Sequence, residues 1–465
     1  MRVHFIGVAG RAMGGIAIAL ARAGHRVSGS DEDAYEPMRG WLEQAGIRAT
    51  CYAADHVPPD ADAIVVGRRV ATDNVEVRYA RQASQPCLSF PAFLRTHYLK
   101  NSRNAVVAGG VGKTTTTALL AWILEHAGKH PDFLIGGMAR NFQESCRLSG
   151  AGLTVLEGDE YASGPDDDLA KFMHYRPEVA IVTNLLADHP DLYPEPDQMH
   201  DLFATLVGLV PSSGCLVCWS DDLASMRLAS TASCAVVTAG TGPEADARVA
   251  DVRLAAHGTA FTLDGVRVEL PLHGWMNVRN AAMAAVAASR FGVPLTSAAR
   301  ALARFEGLAD RQDAFEAGGR IVVRDKASHP ESLRELRAAL RQRFPRRRLV
   351  SVMQPRATGG RRWIYQRDLP AALSGFDSVI LTSPYEHKPA SHVGWRNEPF
   401  CLETLARDLI GLGVAVARAP SLADLPRVVR ERSDPGDVVL LSLREQFSDD
   451  AAAVARGLGS PVTIA

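Results

Sequence analysis

The stretch Ala105-Val106-Val107-Ala108-Gly109-Gly110-Val111-Gly112-Lys113-Thr114-Thr115-Thr116-Thr117 decides how this chain is read. A β-branched apolar run enters three glycines, and Lys-Thr then opens a segment whose Leu119, Leu120, Ile123 and Leu124 keep helical spacing up to Gly128. Strand, glycine turn and helix together are the context of a phosphate cradle. Glycines let backbone N–H groups converge on phosphate oxygens at a helix N-terminus, Lys113 adds a cation, and the Thr114 hydroxyl can ligate Mg²⁺. Gly109, Gly110, Val111, Gly112, Lys113, Thr114 and Thr115 are therefore the expected contacts of a nucleotide. Val107 stands where the full Walker pattern has its first glycine, so the motif is the shorter G-x-x-G-K-T form. A glycine turn capping a helix is the plainer alternative.

Two further strands frame this turn. Leu153-Thr154-Val155-Leu156 runs into Glu157-Gly158-Asp159-Glu160-Tyr161, and Val179 to Thr183 runs into Asn184-Leu185-Leu186-Ala187-Asp188-His189. In open α/β sheets ligands sit beyond the carboxyl ends of the strands, so Glu157 and His189 are expected to face the cradle and, with Thr114, to hold a metal. Asp166-Asp167-Asp168 reads as a solvated loop. Asn277 and Asn280 share the first turn of an alanine-rich helix, where side-chain amides cap the helix or reach a base. Arg311 and Asp313 lie on the segment that leads out of this region.

Ahead of the cradle, Val3 to Ile6 enters Gly7-Val8-Ala9-Gly10-Arg11-Ala12-Met13-Gly14-Gly15, and the next strand, His25 to Ser30, ends in Asp31. This is a mononucleotide-binding βαβ start with an acid at the distance of a ribose contact, and it serves a dinucleotide or a nucleotide sugar alike. Ala63 to Val66 ends at Gly67-Arg68-Arg69, two cations for a diphosphate or for water. Lys100 to Asn104 reads as a linker. From about Gly318 the runs Ile321–Val323, Leu349–Met353, Ser378–Thr382 and Asp437–Ser442 alternate with helical ones, as in a third α/β unit.

Composition sets the limits. A chain of 465 residues exceeds a single core, and a net charge of -1 offers no global field for nucleic acid or an anionic membrane. The basic run Arg341 to Arg348 reads as a solvated helix end. Seven scattered cysteines, a start on a strand and no long apolar span fit a reducing cytoplasm. Cys215 and Cys218 stand in an apolar run and read as buried thiols.

These residues resemble the Mur ligases, ATP-dependent amide-forming enzymes of peptidoglycan synthesis, over essentially the whole chain. Met13-Gly14-Gly15, Ser28-Gly29-Ser30-Asp31 with Tyr35-Glu36-Pro37-Met38, Ile135-Gly136-Gly137 with Asn141-Phe142, and Lys171 to Pro177 place it nearest the murein peptide ligase branch, with the alanine-adding ligases beside it. The resemblance implies an α/β chain of three domains. Residues 1–100 would be a Rossmann-like UDP-sugar domain, 101–317 a P-loop ATPase domain, and 318–465 a Rossmann-like domain for the incoming amine. ATP and Mg²⁺ are the implied cofactors. A UDP-N-acetylmuramate-like nucleotide sugar and an amino acid or peptide are the implied substrates, for a monomer or weak homodimer. Lys113 would hold the β- and γ-phosphates, Thr114 and Glu157 one Mg²⁺, His189 a second, and Arg311 the transferred phosphoryl group, with Asn277 and Asn280 near the adenine. Gly7, Ala9, Gly10, Met13, Gly14, Ser30, Asp31 and Asn74 would contact the nucleotide sugar.

The chain also departs from the family's patterns. Gly110-Val111 replace Thr-His in the cradle, Gly158 replaces an alanine, Leu186 an acid, and Met276 a histidine. Asp310 replaces one arginine of an Arg-Arg pair, and Asp313 a glutamate. The signature D-D-F/Y-A/G-H-H-P stands as Arg324-Asp325-Lys326-Ala327-Ser328-His329-Pro330, and the C-terminal S-N-G-like turn is Ser442-Leu443-Arg444-Glu445. Two other readings follow. One is a family member without turnover, binding a nucleotide sugar or partner, or acting on a carboxylate outside the cell wall. The other is an oxidoreductase using Gly7, Gly10 and Asp31 on NAD, which the second cradle argues against.

Overall fold

The computed structural model describes residues 1–34, 36–186, 196–355, 363–383, 401–443 and 447–459. Its strands form three main sheets that follow one another along the chain. The first has five parallel strands, with Arg2–Ile6 at its centre between Arg26–Ser30 and Ala63–Val66. The glycine turn after Ile6 thus opens at the point where strand order reverses, and the helix Arg11–Arg22 packs Ile16, Ala17 and Leu20 beneath it without exposure.

The second sheet has ten strands. Arg103–Ala108 lies inside it, parallel to Leu153–Glu157 on one side and to Val179–Val182 on the other. Such a strand is covered on both faces, which is why Ala105, Val106, Val107 and Ala108 are all fully buried. The helix that follows, Lys113–His126, buries Leu119, Leu120, Ile123 and Leu124 completely, each stabilising the lobe by about 1.5–3 kcal/mol. It ends where Gly128 takes a left-handed backbone and Lys129 N–H reaches back to the Leu124 carbonyl at 3.0 Å. An antiparallel extension, Ala247–Ala255, Gly258–Leu263 and Val266–Leu270, completes one edge. The third sheet has six strands, five of them parallel and the first, Asp313–Ala317, antiparallel to Arg320–Arg324.

Three expectations are corrected. The stretch Lys100 to Asn104 is not a free linker: Arg103–Ala108 is already strand, and the Asn104 amide is buried on the carbonyls of Leu99 and Arg176 at 3.1 and 3.2 Å. Asp166-Asp167-Asp168 is more than a solvated loop, although Asp166 and Asp168 are exposed. It turns a hairpin of Ala162–Gly164 and Asp167–Ala170 that docks on the first lobe, where Asp167 accepts from the Ser89 hydroxyl at 2.6 Å and Asp166 pairs with Arg81. The basic run 341–348 does more than face water, since Arg343 donates to the Gln312 carbonyl at 2.9 Å and Arg341 pairs with Asp377 at 2.6 Å. Cys215 and Cys218 are free, buried thiols, as their apolar run implies. Among the described residues no helix is long and apolar enough to cross a membrane.

Candidate active site

Three adjacent parallel strands deliver the site. The register pairs Val107 with Glu157 and Ala108 with Val182, so the glycine loop, the acidic run and Thr183-Asn184 all leave the sheet at one edge. The loop turns into its helix at Gly112, whose φ of +93° suits glycine, and a Cβ there would lie 2.5 Å from the Asn280 side-chain oxygen. Among the described residues no side chain caps that helix, so its first-turn N–H groups present a positive end beyond the loop.

Lys113 is folded back onto its own loop. Its ammonium donates to the carbonyls of Gly109 and Gly110 and to the Glu160 carboxylate at 3.0 Å, and Glu160 is almost wholly buried. Thr114 donates its hydroxyl to Glu157 Oε1 at 2.9 Å, and the Gly136 amide donates to Glu157 Oε2 at 2.7 Å. Gly136 has to be glycine for that approach, since a Cβ would sit 2.6 Å from the carboxylate. Burial pushes the Glu157 carboxyl above the usual range, against the Gly136 amide, Lys113 and the Thr114 hydroxyl. Asp159 behaves oppositely: burial would raise it, but Lys171 and Lys113 outweigh that and hold it low.

The cradle is also gripped from the third strand. Asn184 accepts from Val111 N–H at 3.0 Å, donates to the Val111 carbonyl at 2.7 Å, and its backbone carbonyl accepts from Gly110 N–H at 3.2 Å. Two loop amides expected for a nucleotide are therefore held by protein, while those from Gly112 to Thr115 form the helix start. At Gly110 a Cβ would come within 2.6 Å of the Leu186 carbonyl, so the glycine that stands for the family's threonine leaves room for this strand end.

Asn277 and Asn280 are buried, with Asn277 donating to the His273 carbonyl at 2.8 Å and Asn280 to Asn277 at 3.3 Å. Their contacts are those of a floor beneath Gly112. His189 lies outside the described residues. Arg311 is about one-third exposed, 4.0 Å from Asp325 across the boundary to the third sheet.

In the first lobe, Gly7, Ala9 and Gly10 form the turn, and Asp31 accepts from Ala9 N–H at 2.8 Å. Met13 and Gly14 lie inside the lobe, and a Cβ on Gly14 would overlap the Met38 sulfur. Ser30 has no exposed surface and gives its hydroxyl to buried Glu76, which His4 also approaches at 3.4 Å. Asn74 caps the helix Val75–Gln82 through Glu76 N–H at 2.9 Å. The expected substrate contacts Met13, Gly14 and Ser30 thus belong to the interior of the lobe, and Asn74 to a helix end, because each side chain or Cβ position is taken up by packing or capping.

Sequence comparison agrees with the three sheets in order. Residues 2–100 match the Mur ligase family catalytic domain, 107–288 the Mur ligase middle domain, and 304–442 the Mur ligase glutamate ligase domain. The chain is 31% identical over 447 residues, 95% of its length and 94% of the relative's, to UDP-N-acetylmuramate–L-alanyl-γ-D-glutamyl-meso-2,6-diaminoheptandioate ligase of Escherichia coli. The chain belongs to the Mur ligase family. It is similarly 33% identical over 460 residues, 94% of its length and 95% of the relative's, to UDP-N-acetylmuramate–L-alanine ligase of Bordetella avium. Its fold matches a crystallised murein peptide ligase of Psychrobacter arcticus with a TM-score of 0.75 at 26% identity over 100% of both chains. Mur ligases form amides at the expense of ATP, and this membership leaves the readings without turnover, or with NAD, unsupported.

Reasoning from the sequence missed Glu160, Asn184 and Gly136. Glu160 and Asn184 stand in the very runs that were quoted, three residues past Glu157 and one past Thr183. Their proximity to a strand end was the available signal.

Proposed function

We propose that this chain is an ATP- and Mg²⁺-dependent ligase that joins an amino acid or peptide to the carboxylate of UDP-N-acetylmuramate, or a close relative of it, in peptidoglycan recycling or biosynthesis. The observation that carries the reading is the pairing of Thr114 with Glu157 beside Lys113 at an uncapped helix start. One hydroxyl and one carboxylate are hard oxygen donors, and Mg²⁺ commonly takes few protein ligands and completes its shell with phosphate and water. The residues therefore fit the ion. When bound, Mg²⁺ neutralises charge on the phosphates.

No protein nucleophile is required. A carboxylate oxygen of the sugar substrate takes the terminal phosphoryl group and ADP leaves; the amine nitrogen then attacks the acyl phosphate, phosphate leaves, and the amide remains. The chain's contribution is position and charge. Lys113 exchanges the Gly109 and Gly110 carbonyls and Glu160 for the β- and γ-phosphates. The N–H groups at the start of Lys113–His126 face the same anion. Arg311 would meet the transferred phosphoryl group, His189 would hold a second Mg²⁺, and the turn of Gly7, Ala9 and Gly10 with Asp31 would hold the nucleotide sugar.

A coupled assay of ADP release tests this with UDP-N-acetylmuramate, L-alanine, the tripeptide L-alanyl-γ-D-glutamyl-meso-diaminopimelate and a panel of other amines. Amine-dependent turnover, reduced about 10³-fold or more by Lys113→Ala, is expected. Absence of turnover with every amine, despite tight nucleotide-sugar binding, overturns the proposal.

A further inference from the structure

The short segment that carries Arg311 is built unlike its surroundings. Asp310 and Gln312, on either side of Arg311, both take left-handed backbone conformations, with φ of +58° and +48°. Side-chain-bearing residues hold that conformation only where neighbours over-determine it. Here the neighbours come from two lobes.

From the middle lobe, Ala309 N–H donates to the Met138 carbonyl at 2.9 Å and Arg140 N–H to the Gly307 carbonyl at 3.1 Å. This ties the segment to the strand Asp132–Ala139, which also carries Gly136, the residue that holds Glu157. From the third sheet, Asp325 accepts from Gln312 N–H at 2.9 Å, and Arg343 donates to the Gln312 carbonyl at 2.9 Å. Lys326 pairs with Asp310, Arg324 lies 3.7 Å from Asp310 and bonds Asp313, and Asp313 also pairs with Arg140 at 2.7 Å. Arg324 and Asp313 are nearly buried, so these charges meet with little solvent to screen them.

The signs are complementary: Asp310 faces Arg324 and Lys326 from the third sheet. A cation at 310 would face both of them across a lobe boundary, which in a half-buried site is costly.

We propose that Asp310, Arg324 and Lys326 are positioning residues: a charged clasp between the middle and C-terminal lobes that fixes the left-handed turn on which Arg311 is presented to the transferred phosphoryl group. The proposal rests on the ligase reading above for Arg311's task. It makes the docking of the C-terminal lobe a condition for Arg311 being in place.

The test compares Asp310→Arg, Arg324→Asp and the triple variant Asp310→Arg/Arg324→Asp/Lys326→Tyr, which exchanges the two charges and removes the second cation facing position 310. Each single variant is expected to lose about 10²-fold in kcat with KM for the nucleotide sugar within about threefold. The triple variant is expected to recover to within about fivefold of the parent, and Arg311→Ala added to Asp310→Arg to cost no more than about threefold further. Fully multiplicative losses in that last pair, or a folded triple variant no better than the worse single one, would falsify the clasp. Hydrogen exchange at residues 309–313 gives a readout that needs no turnover: at least tenfold faster exchange in the single variants, restored in the triple, supports it, and unchanged exchange in the single variants overturns it. A parent protein that turns over no amine removes the ligase reading, while exchange still decides the clasp.

Discussion

Two glycine turns close two parallel strands in this chain, and each is filled from within by the opposite charge. After Ile6, the Ala9 amide is taken by the carboxylate of Asp31, so the first turn carries its own anion. After Ala108, the loop carbonyls of Gly109 and Gly110 are taken by the ammonium of Lys113, so the second carries its own cation. An anion arriving at the first turn meets a carboxylate already in place and has to be recognised around it. At the second it meets a lysine that only has to swing, while among the described residues neither helix start carries a side-chain cap. The shared strand-turn-helix geometry therefore does not set function; the side chain that occupies the turn does.

The sharpest way to break this contrast is to remove the acid that faces the second turn. Glu157→Gln keeps the shape and the hydrogen bond from Gly136 but removes the charge. We expect kcat to fall about 10²–10³-fold and half-saturation by Mg²⁺ to rise at least tenfold. Burial raises the Glu157 carboxyl above its ordinary value of 4.5, so Mg²⁺ affinity of the parent is expected to fall on acidification with a midpoint above that value. The same shift fixes the sign for stability. Between 4.5 and the raised value the folded chain binds more protons than the unfolded one, so this group's contribution declines as pH rises through that window. At neutral pH, in metal-free buffer, Glu157→Gln is expected to melt no lower than the parent. A lower Tm there, or Mg²⁺ dependence unchanged by the substitution, would show that the acid serves the fold rather than an ion.

A smaller effect is expected from Gly136→Ala. The new methyl would start 2.6 Å from the Glu157 carboxylate, and the strand Asp132–Ala139 has neighbours on both sides, so the carboxylate is the group that gives way. The expected cost is about 1–3 kcal/mol in urea unfolding, with Mg²⁺ affinity weakened and nucleotide-sugar KM untouched. Equal weakening of both ligands would erase the distinction between the two turns.

How much of this was legible depended on the range of the interaction. The cradle, its helix and the strands at Leu153–Glu157, Val179–Val182, Leu349–Met353 and Ser378–Thr382 follow from local spacing, and the pairing of Thr114 with Glu157 follows from the rule that strand ends converge. Asn184 on Val111, Glu160 under Lys113 and Gly136 on Glu157 depend on which strand lies beside which and in what register, and periodicity does not carry that. The same holds in the first lobe: Ser30 and Gly14 stand in a motif read locally, while their packing against Glu76 and Met38, distant in sequence, is set by the fold. At 310–326 the residues themselves misled. Read one at a time, Asp310 and Arg324 are departures from the resemblance, and only the fold brings them to 3.7 Å as a pair.

The smallest predicted effect separates the two turns most finely. Asp31→Asn retains an acceptor for Ala9 N–H while removing the charge, and Asp31→Ala removes both. Burial already raises the Asp31 carboxyl against the hydrogen bonds that lower it, so its charge is held at some cost and its loss should be tolerated. Asp31→Ala is expected to destabilise the first lobe by about 1 kcal/mol through the freed amide, and Asp31→Asn by less. In both, kcat should stay within about twofold, and KM for the nucleotide sugar should rise less than tenfold, a loss on the scale of one hydrogen bond to a ribose hydroxyl. A hundredfold fall in kcat in Asp31→Asn would place this carboxylate with the reacting groups and make the first turn as chemical as the second. A fall in KM would instead mean that the resident anion competes with the substrate's phosphates, and that the turn's amide is the group the nucleotide seeks.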